Sequence, residues 1–294
     1  MTRRMTPHPM TSRTATVLCV LALSGAAHAA VSESTARQRL DADVAAGRPL
    51  VAHIVVALAD NEHQGIIPVP KALGSGQAPR TNLYWGAAYG VRNYFAKKAG
   101  WTELRTPPAK SSFVLERTVF RKRIERGGHE IAIYAVADAY DGAHIREAIV
   151  DDLEFLAGRS AERVEASDKN EKVSLSAGGD AQLIIYVGHD GLMDFNVPAP
   201  APAADGSART AIVLACISRS YFGPLVDRAG AFSLVTTTGL MAPEAYTVDA
   251  ALAAWFGGAS ASDVRSAAAE IYDRYQHCGR GGARRLFGAA REAR

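Results

Sequence analysis

Residues 183–191 read LIIYVGHDG, and their interpretation decides the fold. Leu183 to Val187 is an unbroken apolar run, the pattern of a strand buried on both faces of a sheet. Gly188-His189-Asp190-Gly191 then turns the chain into a polar loop at once. The same arrangement recurs along the chain. VAHIVVAL (residues 51–58) is followed by the polar loop Asp60 to Gly65, and Ile131 to Ala137 leads into Asp138 to Asp141. Ala211 to Ala215 runs directly into Cys216, and Phe232 to Val235 ends in Thr236-Thr237-Thr238-Gly239.

Helical periodicity fills the intervals. Leu83, Ala87, Val91, Tyr94 and Phe95 share one face between Asn82 and Lys98. Asp141 is placed to cap a helix carrying Ile145, Ala148, Ile149, Leu153 and Leu156. A short helix is expected from Tyr221 to Arg228. Another starts at Pro243 and carries Val248, Leu252 and Trp255. Ser260 and Asp263 form a capping-box-like pair ahead of Val264, Ala268, Ile271 and Tyr275. Val114 to Arg123 reads as an exposed alternating strand, residues 159–180 as a surface loop, VPAPAPAA (197–204) as a semi-rigid connection, and the tail from Gly279 as frayed. Buried strands alternating with helices predict an α/β fold, a single three-layer α/β/α domain with a mostly parallel sheet. In such sheets the loops leaving the carboxyl ends of the strands gather on one rim, where ligands bind.

The 294 residues are 48% hydrophobic and 21% charged, which excludes disordered, collagenous and coiled-coil chains. The formal charge of +3 is a property of the first 29 residues. They hold Arg3, Arg4 and Arg13, the apolar run TATVLCVLALSGAA (residues 14–27) and Ala27-His28-Ala29, with no acidic residue. That is the pattern of a secretory signal peptide with cleavage before Ala30, and the run is short for a span of about 20 residues. Residues 30–294 are then expected as one exported domain, periplasmic or extracellular, with a core over about 50–277 and no integral membrane segment. In that remainder 30 basic residues balance 30 acidic ones. Arg121-Lys122-Arg123 reads as one face of a solvated strand, so no nucleic-acid partner is expected.

Three cysteines become two, Cys216 and Cys278, and an exported pair can form a disulfide or remain free. No G-x-G-x-x-G, P-loop or G-x-S-x-G is present, so neither a nucleotide cofactor nor serine-hydrolase chemistry is expected. No metal is expected either. Asp138, Asp141 and His144 read as a helix start, and His189, Asp190 and Asp194 lack zinc-site spacing. His53, inside a buried strand, reads as structural.

What remains is a nucleophile and a base. A cysteine attacks carbonyls as the thiolate, and an imidazole can take its proton. His189 and Cys216 each sit just beyond a buried strand, and neighbouring strands stand about 4.8 Å apart. Backbone amides at Gly191 and Cys216 can then face a developing oxyanion. Asp60 and Glu62, on the loop after the first strand, can select a basic side chain by ion pairing, or simply be solvated. Thr237 can hydrogen-bond an extended peptide, or simply end its strand.

A buried strand ending in His-x-Gly followed by one ending in Ala-Cys resembles the caspase-like cysteine peptidases, the group of caspases, legumain, gingipains, clostripain and CHAT-domain proteases. The segment ACISRSYF, a helix, AFSLVTTTG and two further helices is similar to the CHAT arrangement, and the resemblance covers roughly residues 50–277. It implies an endopeptidase acting on a peptide or protein substrate, with Cys216 as nucleophile, His189 as base and Gly191 and Cys216 as oxyanion donors. Asp190 stands between His189 and Gly191, where the group has Gly directly after His. The alternative expectation is a catalytically inactive binding or interaction protein of the periplasm on the same fold, with Cys216 buried or disulfide-bonded.

Overall fold

The computed structural model describes residues 1–2, 31–169, 171–201 and 205–288. The expected signal peptide and its cleavage site lie outside the described residues, apart from residues 1–2. The order is α1 (Glu33–Ala45), β1 (Leu50–Ala57), α2 (Val91–Lys97), β2 (Thr102–Leu104), β3 (Val114–Arg126), β4 (His129–Tyr140) and α3 (Ile145–Leu156). There follow β5 (Glu162–Ser167), β6 (Lys172–Ala177), β7 (Leu183–Val187), β8 (Arg209–Leu214), α4 (Ser218–Tyr221), α5 (Gly223–Ala229) and β9 (Ala231–Val235). Three helices close the chain: α6 (Ala245–Phe256), α7 (Ala261–Gln276) and α8 (Arg280–Phe287).

Seven strands form one sheet in the order β2-β3-β4-β1-β7-β8-β9. β4, β1, β7, β8 and β9 are parallel, and β2 and β3 are antiparallel additions at one edge. β1 and β7 are buried at every position, as their unbroken apolar runs require. Alternation divides the side chains between two cores. Ile54, Val56, Ile185, Val187, Ile212 and Leu214 face the layer of α1, α2, α6 and α7. Val51, Val55, Ile184, Tyr186, Ala211 and Val213 face α3 and α5 on the other side. The result is a three-layer α/β/α architecture.

The register sets the site. β7 and β8 pair in parallel with Leu183 opposite Thr210 and Val187 opposite Leu214. His189 and Cys216 therefore lie the same two residues beyond their strands. The pairing continues one step further, with Gly188 N–H donating to Leu214 O at 3.2 Å.

Four local expectations are corrected. Residues 159–180 are not plain loop, because β5 and β6 form a hairpin whose Val164, Ala166 and Leu175 are buried. So few inward positions among charged neighbours leave little periodic signal. The helix expected from Asn82 begins only at Val91. The Asn82 side chain accepts from Ala59 N–H (3.1 Å) and donates to Ala59 O (2.8 Å), which pins residues 82–90 to the loop after β1 as successive turns. The tail beyond Gly279 forms α8, held because Ala283 and Phe287 are buried and Phe287 meets the Tyr272 ring edge-on at 5.3 Å. Arg121, Lys122 and Arg123 do not form one solvated face: Arg121 pairs with Asp168 and Glu171 beside the β5–β6 hairpin, Lys122 with Asp249 on α6, and Arg123 with Glu130 on β4, because successive strand residues point to opposite faces. Other expectations stand. Asp141 accepts from Ala143 N–H at 2.9 Å ahead of α3, and Ser260 accepts from Asp263 N–H at 3.2 Å at the start of α7. No helix of the described residues is long and apolar enough to cross a membrane.

On the α3 face of the sheet lies a buried polar network. His53 on β1 accepts from Gly178 N–H at Nδ1 (2.8 Å), so Nε2 carries the proton that meets Asp138 Oδ2 at 3.1 Å. Gly178 itself has φ +57° and no room for a side chain, since a Cβ would stand 2.2 Å from Ser160 O. Arg117 on β3 closes the network with two 2.6 Å bonds to Asp138 and two more to Glu162 at 2.8 and 2.9 Å. Burial alone would raise the Asp138 carboxyl, but the bonds from Arg117 and His53 outweigh it and hold the group below the usual range. His53 is structural, as the sequence suggests.

Candidate active site

Cys216 stands in a strand-turn-helix connection between β8 and α4. The next residue, Ile217, has φ +52°, a left-handed conformation costly for a β-branched side chain. The turn is held from three directions. Ile217 N–H donates to Gly239 O (3.0 Å), Ser218 Oγ donates to Val213 O (2.9 Å), and Arg219 N–H donates to Thr237 O (3.0 Å). The Thr237 hydroxyl donates to Ala215 O and accepts from Ser218 N–H at 3.2 Å. Thr237 is thus fully buried and spent on fixing the cysteine turn to the end of β9, and it offers a peptide no contact. That corrects the expectation of a substrate-binding hydroxyl.

Cys216 is partly exposed, and both Cys216 and Cys278 are free thiols. Met241 brackets the sulfur. Its N–H donates to Sγ at 3.4 Å, and the thiol donates to its carbonyl at 3.6 Å. Tyr84 is also close. Its phenol is raised first by burial and then by the charges of Cys216 and Glu244. Tyr84 and Trp85 are themselves core residues rather than a surface aromatic patch.

On the neighbouring loop, His189 Nε2 meets Asp194 Oδ2 at 2.8 Å. If the ring donates there, Nδ1 holds the lone pair and is the nitrogen able to take a proton. The loop is anchored by Tyr186 Oη, which donates to His189 O at 2.8 Å, and by Asp190, which accepts from Leu192 N–H at 3.1 Å. Among the described residues no hydrogen bond joins His189 to Cys216. Asp194 is the member of this group that the sequence left unassigned. It lies five residues after His189 across a single 3-10 turn, Gly191–Met193, and no residue spacing signals such a pair.

Gly191 is buried against the Phe195 ring, and a Cβ there would meet that ring at 2.6 Å. Its N–H donates to His189 O at 3.1 Å, so the amide expected at the oxyanion is engaged inside its own loop. The Cys216 N–H, by contrast, donates to no group among the described residues. Asp60 is likewise occupied. Buried beyond β1, it accepts from Glu62 N–H (2.8 Å), His63 N–H (3.1 Å), His63 Nδ1 (2.9 Å) and Gln77 Nε2 (3.1 Å). Burial pushes its carboxyl up, but the hydrogen bonds of His63, Glu62 and Gln77 prevail and keep it below the ordinary value. It organises the loop and is not open to a basic side chain, whereas Glu62 is exposed.

Asp190 is the strained acid of the site. Its side chain is fully buried, and Oδ2 has no hydrogen-bond partner. Burial drives the carboxyl up to about 7, against the pull of Leu192 N–H and with help from the Asp194 charge. An acid whose pKa rises on folding binds a proton in the folded state, so its contribution favours folding in acid and is lost as pH climbs from about 4 to about 7. Asp190→Asn removes the titration and keeps the bond to Leu192. Its stability relative to the parent is expected to improve by about 2–3 kcal/mol between pH 5 and pH 8, at about 1.4 kcal/mol per pH unit. Urea denaturation at the two pH values measures this, and a difference that does not change with pH contradicts it.

Among the described residues no cluster of His, Cys, Asp or Glu is arranged to hold a metal ion. Compared with protein-family models, curated proteins and solved structures, the chain shows no significant match.

Proposed function

We propose that this chain is an exported cysteine endopeptidase of the caspase-like kind, working through Cys216 and His189. One observation carries the reading. A cysteine and a histidine lie at equal register beyond two paired parallel strands, the cysteine partly exposed on a strained strand-turn-helix. Such a turn presents a nucleophile outward from the rim of a sheet, as it does in other folds.

In the proposed reaction the Cys216 thiol turns from Met241 O and passes its proton to His189 Nδ1. The sulfur then attacks the peptide carbonyl carbon, and the carbonyl electron pair moves onto oxygen, where the Cys216 N–H can stabilise it. Collapse breaks the C–N bond, and His189 returns its proton to the leaving amine. Water then gives a proton to His189 and attacks the thioester, releasing the acid and restoring the thiol. Asp194 holds the ring so that Nδ1, not Nε2, exchanges protons throughout.

A second reading, a non-catalytic binding module on this fold, is favoured by the Met241 bracket around Sγ and the lack of a bond to His189. Peptides ending in a thiol-reactive electrophile separate the two. The expected result is one covalent adduct per chain, mapped to Cys216 and lost in His189→Ala. Adducts confined to the exposed Cys278, or equal slow labelling of both thiols, would favour the binding module.

A further inference from the structure

We infer that the site receives apolar side chains on both sides of the bond to be cut, with Leu240 forming the contact beside Cys216 and Met193 the contact beside His189. This rests on the reading of Cys216 and His189 as a peptidase dyad and names its substrate class.

The starting point is where the surface is apolar. Met1 at the terminus aside, the exposed large hydrophobic residues among those described are Ile67, Leu115, Met193, Tyr221 and Leu240. Single exposed apolar residues are ordinary on any protein and are expected to scatter. These do not scatter. Ile67 is on the loop after β1, Met193 on the loop after β7, Tyr221 ends the helix after β8, and Leu240 is on the loop after β9. Leu115 belongs to the same rim, because β3 runs antiparallel and Val114 lies opposite Tyr140, the last residue of β4. All five therefore stand at the carboxyl rim of the sheet, with His189 and Cys216.

Two of them directly precede residues that contact the dyad. Leu240, 71% exposed, directly precedes Met241, whose N–H lies 3.4 Å from Cys216 Sγ. Met193, 40% exposed, directly precedes Asp194, whose Oδ2 lies 2.8 Å from His189 Nε2. An acyl group bound to Sγ has Leu240 as a neighbour, and Met193 flanks the Asp194 edge of the ring whose other nitrogen, Nδ1, protonates the departing segment.

Three of the charged groups on the same loops are turned to other partners, while Glu62 stays exposed. Asp60 is saturated by four donors, Glu244 Oε2 accepts from Tyr246 Oη (2.7 Å) and Gln276 Nε2 (3.0 Å), and Arg219 Nε leans on Thr236 Oγ1 at 3.4 Å. A methylene-sized difference in an apolar contact discriminates substrates by about 10–200-fold, so two such contacts are enough to set a preference.

The test uses eight-residue peptides of Gly, Ala and Ser that carry Leu, Phe, Asp or Lys on either side of a central bond. The full chain is expected to cleave the Leu and Phe peptides with kcat/KM at least about tenfold above the Asp and Lys peptides, and Leu240→Ser or Met193→Ser is expected to erase most of that difference. Binding of the same labelled peptides to Cys216→Ala, read by fluorescence anisotropy, should follow the same order without any turnover. Cleavage with no apolar preference, or a preference untouched by both substitutions, overturns this inference and leaves the dyad standing. Apolar-selective binding without cleavage by the unmodified chain sustains the apolar contacts and removes the dyad. Absence of both binding and cleavage overturns both.

Discussion

Replacing Cys216 by alanine is expected to reduce hydrolysis of a susceptible peptide by at least about 10³-fold, equivalent to about 4 kcal/mol of transition-state stabilisation. The reason is that no other group among those described stands ready to form the acyl intermediate. Cys278 is a free, exposed thiol just beyond α7, away from the paired strand ends that carry Cys216 and His189. Residual rate would come from substrate binding and the Cys216-position amide, which the substitution keeps. His189→Ala is expected to cost nearly as much. The double variant should be little worse than either single one, since a nucleophile and its base act as a unit. Steady-state kinetics on the three variants checks this. Full turnover by Cys216→Ala, or losses that simply multiply in the double variant, would exclude the dyad.

Arg117→Met is expected to destabilise the fold by about 3–5 kcal/mol at pH 7, because it strands a buried carboxylate. Asp138 is 1% exposed, and without Arg117 its remaining side-chain partner is His53. The intact network lowers the pKa of Asp138, so its stabilising share is present above the unfolded value near 4 and is lost only as pH falls below it. In the variant the stripped carboxyl rises instead and binds a proton, so the deficit should shrink between pH 8 and pH 5. Denaturant titration at both values gives the answer. A loss under about 1 kcal/mol at pH 7 would mean that the network contributes little to folding.

Much of the fold was legible because its signals are local. The five parallel strands announce themselves by apolar runs that no exposed segment tolerates, and each lies within two or three residues of its expected bounds. The hairpin β5–β6 was not legible, since its inward positions are few and its partner faces are tertiary. The same contrast holds at the site. Cys216 and His189 could be nominated from strand-end positions alone. Asp194, Met241 and the true employment of Thr237 could not, because a carboxylate, a backbone amide and a buried hydroxyl carry no mark of what they will meet. Asp60 misled for the complementary reason. A sequence displays its charge, whereas the four donors that consume that charge come from residues 62, 63 and 77 after folding.

The layered α/β class, the parallel strands and the positions of His189 and Cys216 just beyond two of them follow from patterns a few residues long. Folding was needed to bring those two into one register, to consume Gly191 and Thr237 in holding loops, and to set Met193 and Leu240, exposed among the described residues, on loops of the same rim. Burial and hydrogen-bond occupancy belong to pairs of residues distant in sequence, and the chain has neither until the sheet closes them together.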